Sequence, residues 1–310
     1  MSTTSKSPRM VALVALKAAQ RALPLYAHRF SPKAFTQPQL FACLVLKTFF
    51  KTDYRGIVSM LADMPELRRV IGLTKLPHFT TLQKAARRLL VSMPAQRLLT
   101  ATVHLAKPSA KIKLAAVDSS GLESHHVSRY FVRRRSREPG LWQTTTYTCF
   151  PKLGVVCDCS NHIILSTLMT RGPTPDVHQL ERTLCSVPQR VTLKTLLADA
   201  GYESESNHVF CREYLGVKSI IPTTERGRLR KDGKPKPVHG HYRRQMKNHF
   251  PKNLYGQRWQ VETVFSMIKR NLGSALKSRT YWAQCREMML LALVHNIMIL
   301  LPIRELFYRA

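Results

Sequence analysis

The sequence predicts an α/β protein, with an all-helical stretch first and then a mixed central sheet flanked by helices. Three observations carry that expectation. From 9 to 106 the apolar residues recur at helical spacing, punctuated by prolines. Two short apolar runs, 111–118 and 194–199, each end in an aspartate with a glycine two or three residues later. That is the pattern of a buried strand delivering a carboxylate to the crevice above a sheet. Finally, 255–272 forms one amphipathic pattern, with Val261, Val264, Phe265, Ile268 and Leu272 on one stripe.

Taken in order, residues 1–8 are polar. Helices are expected at 10–22, 38–50, 54–63, 65–72, 79–91 and 94–105, separated around Pro32, Pro38, Pro65 and Pro77. Thr80 or Thr81 would cap the fifth, which carries Lys84, Arg87 and Arg88 as DNA-binding candidates. Short helices followed by a basic one suit a helix-turn-helix-like reader, with 79–91 in the groove. A helical bundle used for dimerisation would read the same way. The first domain is therefore 1–106, a DNA-reading or dimerisation unit, and the second is 107–310.

In the second domain, 111–118 is a strand ending at Asp118, and Ser119-Ser120-Gly121 turns the chain away. Taken alone, an aspartate here is more commonly a loop residue making a local turn. Residues 129–137 hold Tyr130, Phe131, Arg133, Arg134 and Arg135, a basic and aromatic run suited to phosphate contact. Strands follow at 144–150, 153–157 and 162–168. Cys157, Cys159 and His162 invite a zinc reading, but Cys-x-Cys puts its side chains on opposite faces of a strand, so structural cysteines are expected. Asp176 starts a helix to about 186. The strand 194–199 ends in Asp199, a helix runs from 204 to 215, and 217–222 is another strand. Residues 225–250 are a basic loop, either a DNA contact or a linker. A last apolar helix spans 281–301.

Composition narrows the partner. Among 310 residues, 49 Lys+Arg stand against 18 Asp+Glu, a formal charge of +31, so a polyanion is expected and nucleic acid first of all. The basic residues are spread along the chain, unlike a simple basic tail. Seven cysteines at irregular spacing imply no disulfide framework. The apolar run 10–16 follows Lys6 and Arg9 like a very short signal core, yet Lys17 and Arg21 continue its helical pattern, so it reads as a soluble helix. Residues 288–303 are strongly apolar but contain His295, Asn296 and Pro302, which favours a buried core helix over a membrane span.

At about 100° per residue, Tyr255, Arg258, Glu262 and Lys269 fall within about 60° of one another on the glutamate helix. An ordinary solvated Arg-Glu pair would account for part of that face. The set at these offsets, together with Val117-Asp118-Ser119-Ser120-Gly121 and Ala198-Asp199-Ala200-Gly201-Tyr202, resembles the bacterial insertion-sequence DDE transposases of the Tyr-Arg-Glu-Lys type over roughly 110–300. The resemblance implies a ribonuclease-H-like catalytic domain in which Asp118, Asp199 and Glu262 are catalytic and hold two Mg²⁺ ions, Mn²⁺ being an expected substitute. It implies that Arg258 and Lys269 contact phosphate, that Tyr255 meets the DNA backbone, and that the helical front binds terminal inverted repeats. The segment from Asp199 to Glu262 is too short for the large β insertion of relatives that resolve hairpin ends.

The implied function is cleavage and strand transfer of double-stranded DNA, element ends and target, by a homodimer or higher oligomer, cytoplasmic and nucleoid-associated, with no membrane. Two other readings use the same residues. A domesticated nuclease would cut without transferring strands. A DNA-binding regulator without catalysis would explain the charge and the helices but leaves three carboxylates in matched contexts unexplained.

Overall fold

The computed structural model describes residues 4–106, 110–124, 150–172, 174–224 and 237–308. The first part contributes α1 (Pro8–Ala22), α2 (Gln37–Phe49), α3 (Tyr54–Asp63), α4 (Pro65–Ile71), α5 (Phe79–Leu89) and α6 (Ser92–Ala106). Local chemistry sets their starts. The Ser7 hydroxyl caps α1, Asp53 caps α3, and Thr36 with Gln39 forms a reciprocal capping box on α2. Gly72 ends α4 at φ 73°, a conformation that costs other residues more. The expected Thr80 or Thr81 cap on α5 is corrected. His78 occupies that position, and its Nδ1 accepts from the Thr80 N–H at 3.5 Å and meets the Thr80 hydroxyl at 2.8 Å. The run 10–16 lies in α1, with Val11, Ala12, Val14 and Ala15 buried.

The rest builds a sheet with helices against it. The strands are β1 (Ala110–Ile112), β2 (Ala115–Gly121), β3 (Glu123–Ser124), β4 (Phe150–Asp158), β5 (Ile164–Gly172), β6 (Val191–Leu193), β7 (Thr195–Ala198), β8 (Lys218–Ile220) and β9 (Ala275–Leu276). The five-stranded sheet has the order β5-β4-β2-β7-β8. β5, β4 and β2 are antiparallel neighbours, while β2, β7 and β8 run parallel. A mixed central sheet of this order, flanked by helices, is consistent with a ribonuclease-H-like domain. β1 pairs with β6, and β3 with β9, both parallel.

Four sequence expectations change here. The strand expected across 111–118 is two strands, with β1 turned away to β6. β2 does not turn after Asp118 but continues to Gly121, because β4 offers partners as far as Lys152. The expected helix 204–215 is α8 (Glu205–Val209), relaxing into a π turn over Phe210–Tyr214. Asp176 opens a 3-10 turn before α7 (Leu180–Cys185).

The remaining helices are α9 (His241–Asn248), α10 (Trp259–Leu272) and α11 (Tyr281–Tyr308). Up to Leu300, α11 is apolar and long enough to cross a membrane by length and composition alone, but most of it is buried in the protein. It packs on α1, α2 and α6 as well as on β4 and β5. One hydrophobic cluster therefore runs from the N-terminal helices through α11 into the sheet. Buried Asn296 fixes the register of α11. Its side chain accepts from the Ile164 N–H at 2.8 Å and donates to the Ile164 carbonyl at 2.8 Å and the Thr102 hydroxyl at 3.0 Å. A buried amide so fully partnered costs little and specifies one alignment.

Candidate active site

Val117 on β2 is in register with Ala198 on the parallel neighbour β7. The next residue on each strand is an aspartate, so Asp118 and Asp199 leave adjacent strands, whose spacing is about 4.8 Å, at the same level. Each is steadied by the following amide. Asp118 Oδ1 accepts from the Ser119 N–H at 2.7 Å, and Asp199 Oδ1 accepts from the Ala200 N–H at 2.6 Å. Residues 115–117 and 195–198 are all buried, whereas Asp199 is exposed.

α10 packs on β2 and β4 through the predicted stripe of Val261, Val264, Phe265, Ile268 and Leu272, which leaves Glu262 in the open. The regular helix begins only at Trp259. Tyr255 ends a one-turn helix, Lys252–Tyr255, and Arg258 closes the 3-10 turn that follows. Even so, the four residues of the predicted face gather at the Asp118 end of β2. Arg258 Nη1 reaches Asp118 Oδ2 at 3.3 Å, and its Nη2 forms a close ion pair with Glu262 Oε1. Lys269 Nζ donates to Ser120 Oγ at 3.0 Å. Asp118, Ser120, Glu262, Phe265 and Lys269 line an open cleft of about 730 Å³.

The electrostatics follow from this packing. Burial pushes the Asp118 carboxyl above its ordinary pKa. The Ser119 amide and Arg258 oppose that rise, and the nearby Asp199 and Asp176 charges add to it. Burial also raises the Tyr255 hydroxyl. For Arg258 burial acts downward, but Tyr255, Asp118 and Glu262 together hold its pKa up. The site thus concentrates negative potential and satisfies it with one guanidinium shared by two carboxylates. The expected contact of Arg258 with phosphate would need the guanidinium to turn from these two carboxylates.

Asp118, Asp199 and Glu262 are a hard-oxygen donor set, the type that suits Mg²⁺ or Mn²⁺. Arg258 already shows that a cation settles between Asp118 and Glu262. Among the described residues no three His, Cys, Asp or Glu side chains stand as a ready-made metal cluster, so an ion would take its ligands as Arg258 yields them. The chemistry of the donors fits the group.

Sequence reasoning missed a second network beside the first. Asp176 accepts from Ser119 Oγ at 2.9 Å and from Lys152 Nζ at 2.8 and 2.9 Å. Tyr202, buried in the turn after Asp199, has its hydroxyl pushed up by burial and by the charges of Asp176 and Asp118. This network ties β2, β4 and the Asp199 turn together. Its partners come from strands whose pairing, such as Gly121 with Lys152, exists only in the fold.

The other candidates lie elsewhere. Lys84, Arg87 and Arg88 are exposed on α5. Arg88 Nε donates to Gln37 Oε1 of α2 at 3.2 Å, while Arg87 lines a cleft against α11. Tyr130, Phe131, Arg133, Arg134 and Arg135 lie outside the described residues, as does 225–236 of the basic loop. The end of that loop is α9, docked on α8 where Glu205 accepts the Tyr242 and Arg243 amides at 3.0 Å each. Cys157 is buried in β4, and the His162 ring bonds to Gln260 Oε1 at 2.6 Å, so neither faces the other as a zinc ligand.

Comparison with known families adds one finding. The family described as "Transposase DDE domain" matches residues 109–297, the stretch that carries the sheet, Asp118, Asp199 and α10. No curated protein matches the chain.

Proposed function

This chain belongs to the transposase DDE domain family, and on that footing we propose that it is an insertion-sequence transposase that binds the element's terminal repeats, cleaves there and transfers the freed ends. The observation that carries the reading is that Asp118 and Asp199 follow in-register residues of adjacent parallel strands, while Asp118 pairs with the Arg258 that also holds Glu262. Asp118, Asp199 and Glu262 would hold two Mg²⁺ ions, which supply a nucleophile at neutral pH and stabilise the leaving oxyanion.

The chain's own residues do the remainder. Arg258 releases the carboxylates and turns its fork to a phosphate, a geometry it matches better than lysine can. Lys269, held at Ser120, orients a flanking phosphate. Tyr255 hydrogen-bonds or packs at the backbone. Phe265 forms part of the cleft wall beside Glu262. The same cleft admits water for cleavage and then the 3′-OH that attacks target DNA. The helices of 1–106 serve end binding or dimerisation, and the working form is a homodimer or larger assembly on DNA, cytoplasmic and nucleoid-associated.

The test is Mg²⁺-dependent cleavage of duplexes carrying the element's ends, with Asp118→Asn, Asp199→Asn and Glu262→Gln. Each variant should bind ends as the unaltered protein does and cut below detection. Near-normal cutting by any one of them removes that residue from the site.

A further inference from the structure

A second cleft, about 320 Å³, opens where the N-terminal helices meet the end of the chain, away from the three carboxylates. Lys47 of α2, Arg87 of α5, Arg286 of α11 and Lys277 line it, along with two carboxylates, Asp53 and Glu287. The cleft thus holds four cations against two anions, and both carboxylates also accept backbone amides. Asp53 Oδ1 accepts the Arg55 and Gly56 amides at 3.0 and 2.7 Å, and Glu287 accepts the Lys277 and Ser278 amides at 3.0 and 2.9 Å. Lys277 donates to the Lys51 carbonyl, and the other three cations are placed differently. Lys47 Nζ sits 5.1 Å from the Tyr54 ring centroid, and Arg87 and Arg286 make no hydrogen bond or ion pair to any described residue. Burial pulls the Lys47 ammonium below its ordinary pKa, with the Lys277 charge adding to that fall and the Glu287 and Asp53 charges opposing it.

We propose that this cleft seats a backbone phosphate of the same DNA duplex whose end enters the candidate active site. The proposal rests on the transposase reading for the identity of the polyanion, and the chemistry it names is a phosphodiester held by two guanidinium groups and a lysine. Continuity with the first cleft selects DNA over a free ion. Lys51, at the rim beside Thr52 and Asp53, donates through Nζ to the Arg270 carbonyl at 3.3 Å, and Lys277 Nζ donates to the Lys51 carbonyl at 2.6 Å. Arg270 lines the active-site cleft two turns of α10 beyond Glu262, a rise of about 12 Å. A strand leaving Glu262 past Lys269 and Arg270 would continue over Lys51 toward the cleft that Arg87 and Arg286 line. The arrangement makes α5 a reader of backbone along the seam, with Arg87 turned toward α11.

The experiment measures equilibrium affinity of the full chain for duplex element ends at several salt concentrations, for the unaltered protein, Arg87→Ala, Arg286→Ala and the double variant. Each phosphate contact released lowers the slope of log K against log salt by about one, so the double variant should lose about two. Arg87 is exposed, so its variant tests the idea even where Arg286→Ala folds poorly. Slopes equal to that of the unaltered protein for Arg87→Ala and the double variant overturn the proposal. A parallel arm follows thermal stabilisation by inorganic phosphate. Loss of that stabilisation with an unchanged DNA slope assigns the cleft to a free anion and overturns the DNA proposal. An unaltered protein that binds no DNA at all fails the transposase reading instead, which keeps the two failures apart.

Discussion

At the scale of single residues, Arg258 decides how the site is held without an ion. Its side chain is one-fifth exposed, as is that of Asp118, while Glu262 is more than half exposed. Removing it leaves two carboxylates facing each other, with Asp118 already raised by burial. Arg258→Ala should lower stability by about 1 kcal/mol in chelator, the modest value expected for a partly solvated pair. Adding Mg²⁺ should raise the variant's Tm more than that of the unaltered protein, since the ion takes over the missing charge. Equal Mg²⁺ shifts would show that Arg258 and the ion do not share a place. The spacing of Tyr255, Arg258, Glu262 and Lys269 made this face legible, because helical periodicity turns offsets into neighbours. Asp176 was illegible, since its partners Ser119 and Lys152 come from two strands paired only in the folded sheet. Asp176→Asn leaves the mostly buried Lys152 ammonium with a weaker partner, so it should cost about 1–3 kcal/mol. Asp176→Asn combined with Lys152→Met should recover part of that loss in urea unfolding. No recovery would place the cost on Ser119 and the Asp199 turn rather than on the ion pair.

At the scale of elements, the helices of 8–106 were readable almost to the residue, because caps and prolines are local signals. Strand ends were not. Asp118 was expected to end its strand, and instead β2 runs three residues further along β4. Nothing within 111–121 encodes that extension, which depends on how far β4 reaches. It matters for the site, because it carries Ser120 to the Lys269 ammonium. Lys269→Ala should therefore weaken end binding and reduce the salt slope by about one, while Ser120→Ala should leave the slope unchanged and lower only the cutting rate. A solvated lysine would give parallel lines of equal height and equal rates. The packing of α11 on α1, α2 and α6 bears on the first part of the chain. Expressed alone, 1–106 loses that apolar cover and should unfold with little cooperativity. A sharp thermal transition in the fragment would show that its helices make a sufficient core of their own.

At the scale of the whole molecule, one core joins the helical part to the sheet, and two buried histidines stand at its joints. His295 lies on α11 with Nε2 at 3.0 Å from the His162 carbonyl, and His208 sits behind β8 with Nδ1 at 2.7 Å from Ser219 Oγ. Burial lowers both to about 4, with the Arg212 charge adding to the effect on His208 and the His162 carbonyl opposing it on His295. In the unfolded chain each titrates near its ordinary value of about 6.5. Between about pH 6.5 and 4 the unfolded state therefore binds up to two protons that the folded state refuses. Stability is fully present above pH 6.5 and is lost as pH falls toward 4, by about 3 kcal/mol per pH unit where both contribute in full. Asp118 acts with the opposite sign, since its carboxyl is raised: its window opens upward from its unfolded value of about 4, so it offsets part of the histidine loss at the acid end of this range. Urea unfolding of the full chain at about pH 7, 6 and 5 should show that loss, and His295→Gln should reduce the slope by about half while keeping a donor for the His162 carbonyl. Equal unfolding free energies at pH 7 and pH 5 would mean that these imidazoles accept protons in place, and that the seam between the helices and the sheet admits water.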